Sequence, residues 1–183
     1  PRRPALAKVS ELIEQASALE KQGQTAKALA IYRHILPHLK SAPAVAADLS
    51  LKAGDLTLKS GDVGAAVQWY GRAGDLCASM GNAQAVITAA GRIQNADPDR
   101  VDVYLTLGKR MVDAGHAGPA VDVLIEHAKR AHLEQMLAEL QPLSGRPSED
   151  IKPLVVMLLE GAVASTAAPP PPAPPPEPPP VEP

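Results

Sequence analysis

Phenylalanine is absent from these 183 residues, and tryptophan and cysteine occur once each, as Trp69 and Cys77. Three tyrosines, Tyr32, Tyr70 and Tyr104, complete the aromatic set, although 45% of the chain is hydrophobic. A core must therefore be built from Leu, Ile, Val and Ala. A single cysteine excludes an intrachain disulfide framework and a thiolate zinc site, which makes a reducing cytoplasm the expected location. No apolar run approaches the ~18–20 residues that cross a bilayer, so membrane insertion is not expected. Neither sign of charge dominates: 18 basic against 20 acidic side chains give a net charge of −2. The electrostatic footprint of a nucleic-acid binder is missing, and no nucleic acid is expected as a partner. Phosphate-binding signatures are also lacking, since "GRAG" and "GDVG" fall inside helical pattern and not at a strand-to-helix turn.

What the chain has in abundance is alanine and a repeated register. Alanine carries the highest helix propensity, and small side chains let helices approach closely, so the composition points to an all-α fold. A small residue is followed seven positions later by glycine four times: Ala16 to Gly23, Gly54 to Gly61, Gly74 to Gly81 and Gly108 to Gly115. Five residues after each glycine stand Ala28, Ala66, Val86 and Ala120. Four further on come Tyr32, Tyr70, Ala90 and Leu124, and three beyond those Ile35, Ala73, Ile93 and His127. Steps of four and three keep one helix face inward, while the glycines suit turns that need positive φ. Asp62 and Asn82, each directly after a turn glycine, are N-cap candidates. The helices expected from this pattern span 5–22, 25–40, 44–60, 62–80, 83–95, 99–114, 117–140 with a break near Lys129 to Leu133, and 150–165. Pro37 should end or kink the second of them.

The order small residue, turn glycine, Ala, aromatic, small residue resembles the tetratricopeptide repeat family over roughly residues 5 to 131. Its fullest copy is "AGDLTLKSGDVGAAVQWYGRAG", and the copy from Tyr104 to His127 replaces the aromatic by Leu124. The resemblance implies a right-handed α-solenoid of antiparallel helix pairs over residues 1–141. The turn glycines recur at intervals of 38, 20 and 34, so the middle step is too short for a full unit. Asp62 to Met80 is accordingly expected to be one helix shared by two units.

Beyond the repeat, "QPLSGRPSED" reads as a loop, followed by a capping or interaction helix over 148–166. Ser148 or Asp150 can cap that helix, and Pro153 is tolerable only near its first turn. The run Leu154 to Leu159 is apolar all round and needs cover, from the solenoid end, from a partner, or from a second copy through self-association. Residues 167–183 read as a proline-rich linker of polyproline II type. A start without Met and a stop within proline suggest a piece of a longer protein.

In the resembled family, first helices line a concave surface that receives a peptide, helix or loop. Carried onto this chain, that surface passes Ser10, Ile13, Ser17 and Glu20, then Asp48, Leu51, Asp55 and Leu58. It continues past Gln68, Gly71, Asp75 and Ala78 to Asp102, Leu105, Lys109 and Val112. The family's carboxylate clamp is missing, because Ile13, Leu51, Gly71 and Leu105 stand where its first basic residue belongs. An apolar strip flanked by Asp48, Asp55, Asp75 and Asp102 remains, suited to an amphipathic helix or loop with basic flanks. The alternative is that Leu51 and Leu105 pack on the next helix and the aspartates are solvated. His34 and His38 lie four apart but have Pro37 between them, His116 reads as a turn residue, and His127 as a core-edge residue. No cofactor, metal or catalytic group is expected, and the chain reads as a protein–protein docking scaffold of bacterial type. Self-assembly, or regulation of an enzyme elsewhere in a longer chain, are the alternatives.

Overall fold

A computed structural model describes residues 3–100 and 102–166; the proline-rich linker expected at 167–183 lies outside them. All regular structure among the described residues is helical: α1 (Arg3–Lys21), α2 (Thr25–Ile35), α3 (Pro43–Lys59), α4 (Val63–Ser79), α5 (Ala83–Ala96), α6 (Val103–Asp113), α7 (Ala117–Arg130), α8 (Glu134–Leu140) and α9 (Ser148–Thr166). Short 3-10 turns, Leu36–His38 and Gln141–Leu143, follow α2 and α8. The helices pack in neighbouring pairs, α1 on α2, α3 on α4, α4 on α5 and α6 on α7.

The pairs are set by one turn design used repeatedly. Gly23, Gly61, Gly81 and Gly115 all adopt positive φ, at 73°, 88°, 70° and 91°. Beside each, the next residue's N–H reaches back five positions to a helix carbonyl: Gln24 to Leu19 (2.9 Å), Asp62 to Thr57 (3.3 Å), Asn82 to Cys77 (3.1 Å) and His116 to Met111 (2.8 Å). This is the Schellman closure, and glycine adopts its left-handed residue without a Cβ clash. Asp62 and Asn82 then begin the following helix, their side-chain oxygens accepting from Ala65 N–H (2.9 Å) and Ala85 N–H (3.1 Å). One residue thus closes one helix and caps the next, so each reversal takes only three residues between helices.

The repeated register lies in the core. All twelve positions following the turn glycines, from Ala28 to His127, are 3% exposed or less. The small residue preceding each turn admits a large one. A Cβ on Gly54 would overlap the buried Tyr70 ring, and one on Gly108 would come within 2.8 Å of Leu124 Cδ2. Where the register has Ala90 in place of a large side chain, Leu107 of α6 fills the space instead, 2.8 Å from a Cβ on Gly74. Helix α4 lies on both α3 and α5 and also touches α6.

Several expectations require correction. Helix 25–40 stops at Ile35 and tightens into a 3-10 turn, since Pro37 cannot donate an α-helical bond. Helix 99–114 starts only at Val103, because Asp97 is extended and the chain turns over the residues after it. The break expected near Lys129 to Leu133 is present, and it is a fifth turn of the same kind: His132 takes φ 55° and Leu133 N–H bonds Ala128 carbonyl at 2.8 Å. Ser148 does not cap α9 but accepts from Gly118 N–H of α7 at 2.8 Å. Pro153 is the sixth residue of α9, past its first turn, and the carbonyl it leaves open belongs to exposed Glu149. The run Leu154 to Leu159 is not covered all round. Val155 and Leu159, with Ile151, are buried against α6 and α7, while Leu154 is 47% and Met157 68% exposed.

Candidate docking surface

The residues placed on the concave face fall into three groups. Ile13 and Ser17 of α1 are half-buried, Ile13 against the core formed by α1 to α3. Leu51 and Leu58 of α3 are also half-buried and pack on the larger core that runs from α3 to α9. Leu105 is 6% exposed and belongs to that core, so it offers little to a partner. For Leu51 and Leu105 the packing alternative accounts for most of their apolar surface.

The aspartates divide by what holds them. Asp55 accepts a hydrogen bond from Tyr70 Oη at 2.9 Å and pairs with Arg92, whose guanidinium lies over the Tyr70 ring 5.9 Å from its centroid. That cluster links α3, α4 and α5. Asp75 of α4 pairs with Arg110 of α6, and Asp102 with Arg100 at 3.3 Å. Lys109 faces Asp113 one turn away at 3.8 Å. Asp48 is different: it is exposed and forms no ion pair among the described residues. The negative strip expected from sequence is therefore largely neutralised, and its free carboxylate is Asp48.

Arg92 and Arg110 are not recognisable as partners from spacing, because they come from other helices 35 to 37 residues away, whereas Arg100 is a local partner of Asp102. A related arrangement sits on α7, where Arg130 bonds Glu126 (2.7 Å) and Gln94 (3.1 Å) and lies 5.1 Å from the Tyr104 ring centroid. The stacked guanidiniums seal the outer edges of buried tyrosines with a face that is both apolar and charged.

Titratable groups elsewhere serve packing. Burial pushes the Tyr70 phenol up to about 12, helped by its bond to Asp55; burial and the Glu20 carboxylate push Tyr32 up further. Burial, with a smaller effect from Asp48, raises the Cys77 thiol, which disfavours the nucleophilic thiolate. His116 donates from Nε2 to Ser79 carbonyl at 3.1 Å and lies against Gly81, so it joins two successive turns. His34 and His38 come within 5.7 Å, edge to face, because the 3-10 turn carries the chain past Pro37 without separating them. No group of three potential metal ligands exists among the described residues. None of their helices is long and apolar enough to cross a membrane. No family model, curated protein or solved structure matches the chain.

Proposed function

We propose that the chain is a right-handed α-solenoid of tetratricopeptide type and acts as a non-enzymatic docking scaffold in a cytoplasmic bacterial assembly. The observation that carries this reading is the register itself. Four times a close-packed small residue precedes a positive-φ glycine by seven positions, and the twelve positions that follow are buried. A chain that commits its tyrosines, its cysteine and most of its aspartates to packing and pairing leaves extended helix surface as its means of action. The partner is a helix or loop with basic flanks, received along the first helices where Asp48 stands exposed beside half-buried Leu51 and Leu58.

Reversal of Asp48 to Lys is the discriminating change, because Asp55 and Asp75 are held by arginines and their reversal would disturb the helix stack. Affinity capture from the source cell should recover the partner with the native chain and with Lys129→Glu, an exposed change on α7. The Asp48→Lys chain should lose it. Equal recovery by Asp48→Lys would remove the groove from the proposal.

A further inference from the structure

Among the described residues the exposed large apolar side chains are few, and two of them lie one turn apart on the last helix. Leu154 is 47% and Met157 68% exposed. Gly161 extends the same face, being seven and four positions on from them, and a Cβ there would meet nothing within 4 Å. The opposite stripe of α9, Ile151, Val155 and Leu159, is already used against α6 and α7. The open stripe is therefore surplus to the packing of the described residues.

Its borders carry one sign of charge. Asp150 lies four residues before Leu154 and Glu160 three after Met157, so both stand on the apolar stripe or at its edge. Both are exposed and neither forms an ion pair among the described residues. Lys152, the basic residue of the helix, is two positions from Leu154 and so faces away from it. We infer that this α9 face docks a basic amphipathic helix, with Leu154 and Met157 taking its apolar side chains and Asp150 and Glu160 its cationic flanks. Methionine suits such a role because its unbranched, polarisable side chain adapts to different partners. A second copy is disfavoured as occupant, since pairing α9 with itself brings one acidic border to another. The inference concerns a surface separate from the Asp48 groove, and the two fail independently.

The test uses the full chain and a labelled 14-residue Leu/Lys peptide with leucines at helical spacing, followed by fluorescence anisotropy. Glu replacing every Lys gives the control peptide. The Leu/Lys peptide should bind saturably. Leu154→Ser with Met157→Ser should weaken binding at least tenfold, as should Asp150→Asn with Glu160→Gln, while helicity by circular dichroism stays native because all four side chains are exposed. Asp48→Lys should leave this binding unchanged. Equal binding of the Leu/Glu peptide, or no loss on replacing Leu154 and Met157, overturns the inference. So does light scattering that shows a dimer dissolved by the Leu154/Met157 change, which makes a second copy the occupant. A gain in peptide affinity on removing 167–183 overturns it in favour of that segment.

Discussion

At His132 the chain does with a branched ring what it does elsewhere with glycine. Its φ of 55° places a Cβ in the left-handed region, where non-glycine residues are strained by about 1–2 kcal/mol. The other four turns of this kind use glycine at that position. His132→Gly should relieve the strain at some cost in unfolded-chain entropy, for a net gain of about 0.5–1 kcal/mol. In a chain of this size that corresponds to roughly 1–4 °C in Tm, measurable by calorimetry. Because His132 is exposed, no packing is lost in the exchange.

The tyrosines set the alkaline limit of stability. Tyr70 is pushed up to about 12, against about 10 for a free phenol, chiefly by burial. Between those values the unfolded chain has already lost its proton and the native chain has not. Stability is therefore fully present below pH 10 and falls as pH rises toward 12. Tyr32 and Tyr104 are shifted in the same direction, so they add to the effect. Phenolate absorbance should appear together with the loss of helical circular dichroism. Phenolate rising while helicity is retained would show that the hydroxyls are not held in the fold.

Within elements, the same substitution should have opposite signs at two glycines of neighbouring helices. Gly71 sits on α4 with nothing near its missing Cβ, so Gly71→Ala should stabilise by up to about 1 kcal/mol through helix propensity. Gly54 on α3 lies against the Tyr70 ring, which is 1% exposed, tied to Asp55 and covered by Arg92. That ring cannot move without breaking the cluster, so overpacking of about 1–3 kcal/mol outweighs the propensity gain and Gly54→Ala should destabilise. Urea midpoints of the two variants should fall on either side of the native value.

The legibility of the elements follows the same division. Gly23, Gly61, Gly81 and Gly115 could be read because a residue type reports a backbone conformation directly, and Asp62 and Asn82 because capping is local. The fifth turn is legible only as a break, since histidine carries no such signal. The start of α6 is not legible for a similar reason: Pro98 marks a boundary without fixing how many residues the turn consumes. On the candidate surface, Asp48, Asp55, Asp75 and Asp102 look alike in sequence. What separates them is Arg92, Arg110 and Arg100, and the first two of these come from other helices. Helical spacing says nothing about such long-range partners, and the same ignorance made the run Leu154 to Leu159 look uniformly in need of cover.

At the scale of the whole molecule, the described residues hold two hydrophobic cores, divided along α3. Ala46, Leu49, Ala53 and Leu56 face the core shared with α1 and α2, whereas Ala47 belongs to the larger one that extends to α9. The N-terminal pair meets the rest mainly through α2 against α3, with half-buried Trp69 and Leu76 adding contacts from α4. The larger core is tied together by α4, α5, α6, α7 and α9, each packed on at least two of the others, α9 on α6 and α7. A stack of this kind opens in parts, beginning with the unit that has fewest attachments. Amides of α1 and α2 should therefore exchange through an opening of lower free energy than those of α4 to α7. Leu49→Ala, at a site 3% exposed in the smaller core, removes about 2–5 kcal/mol of local packing and should accelerate exchange in α1 and α2 selectively. Leu124→Ala, fully buried in the larger core, should instead raise exchange in α4 to α7. Hydrogen exchange read by mass spectrometry distinguishes the two patterns, and a uniform response to both substitutions would mean that the molecule unfolds as one unit in spite of its divided core.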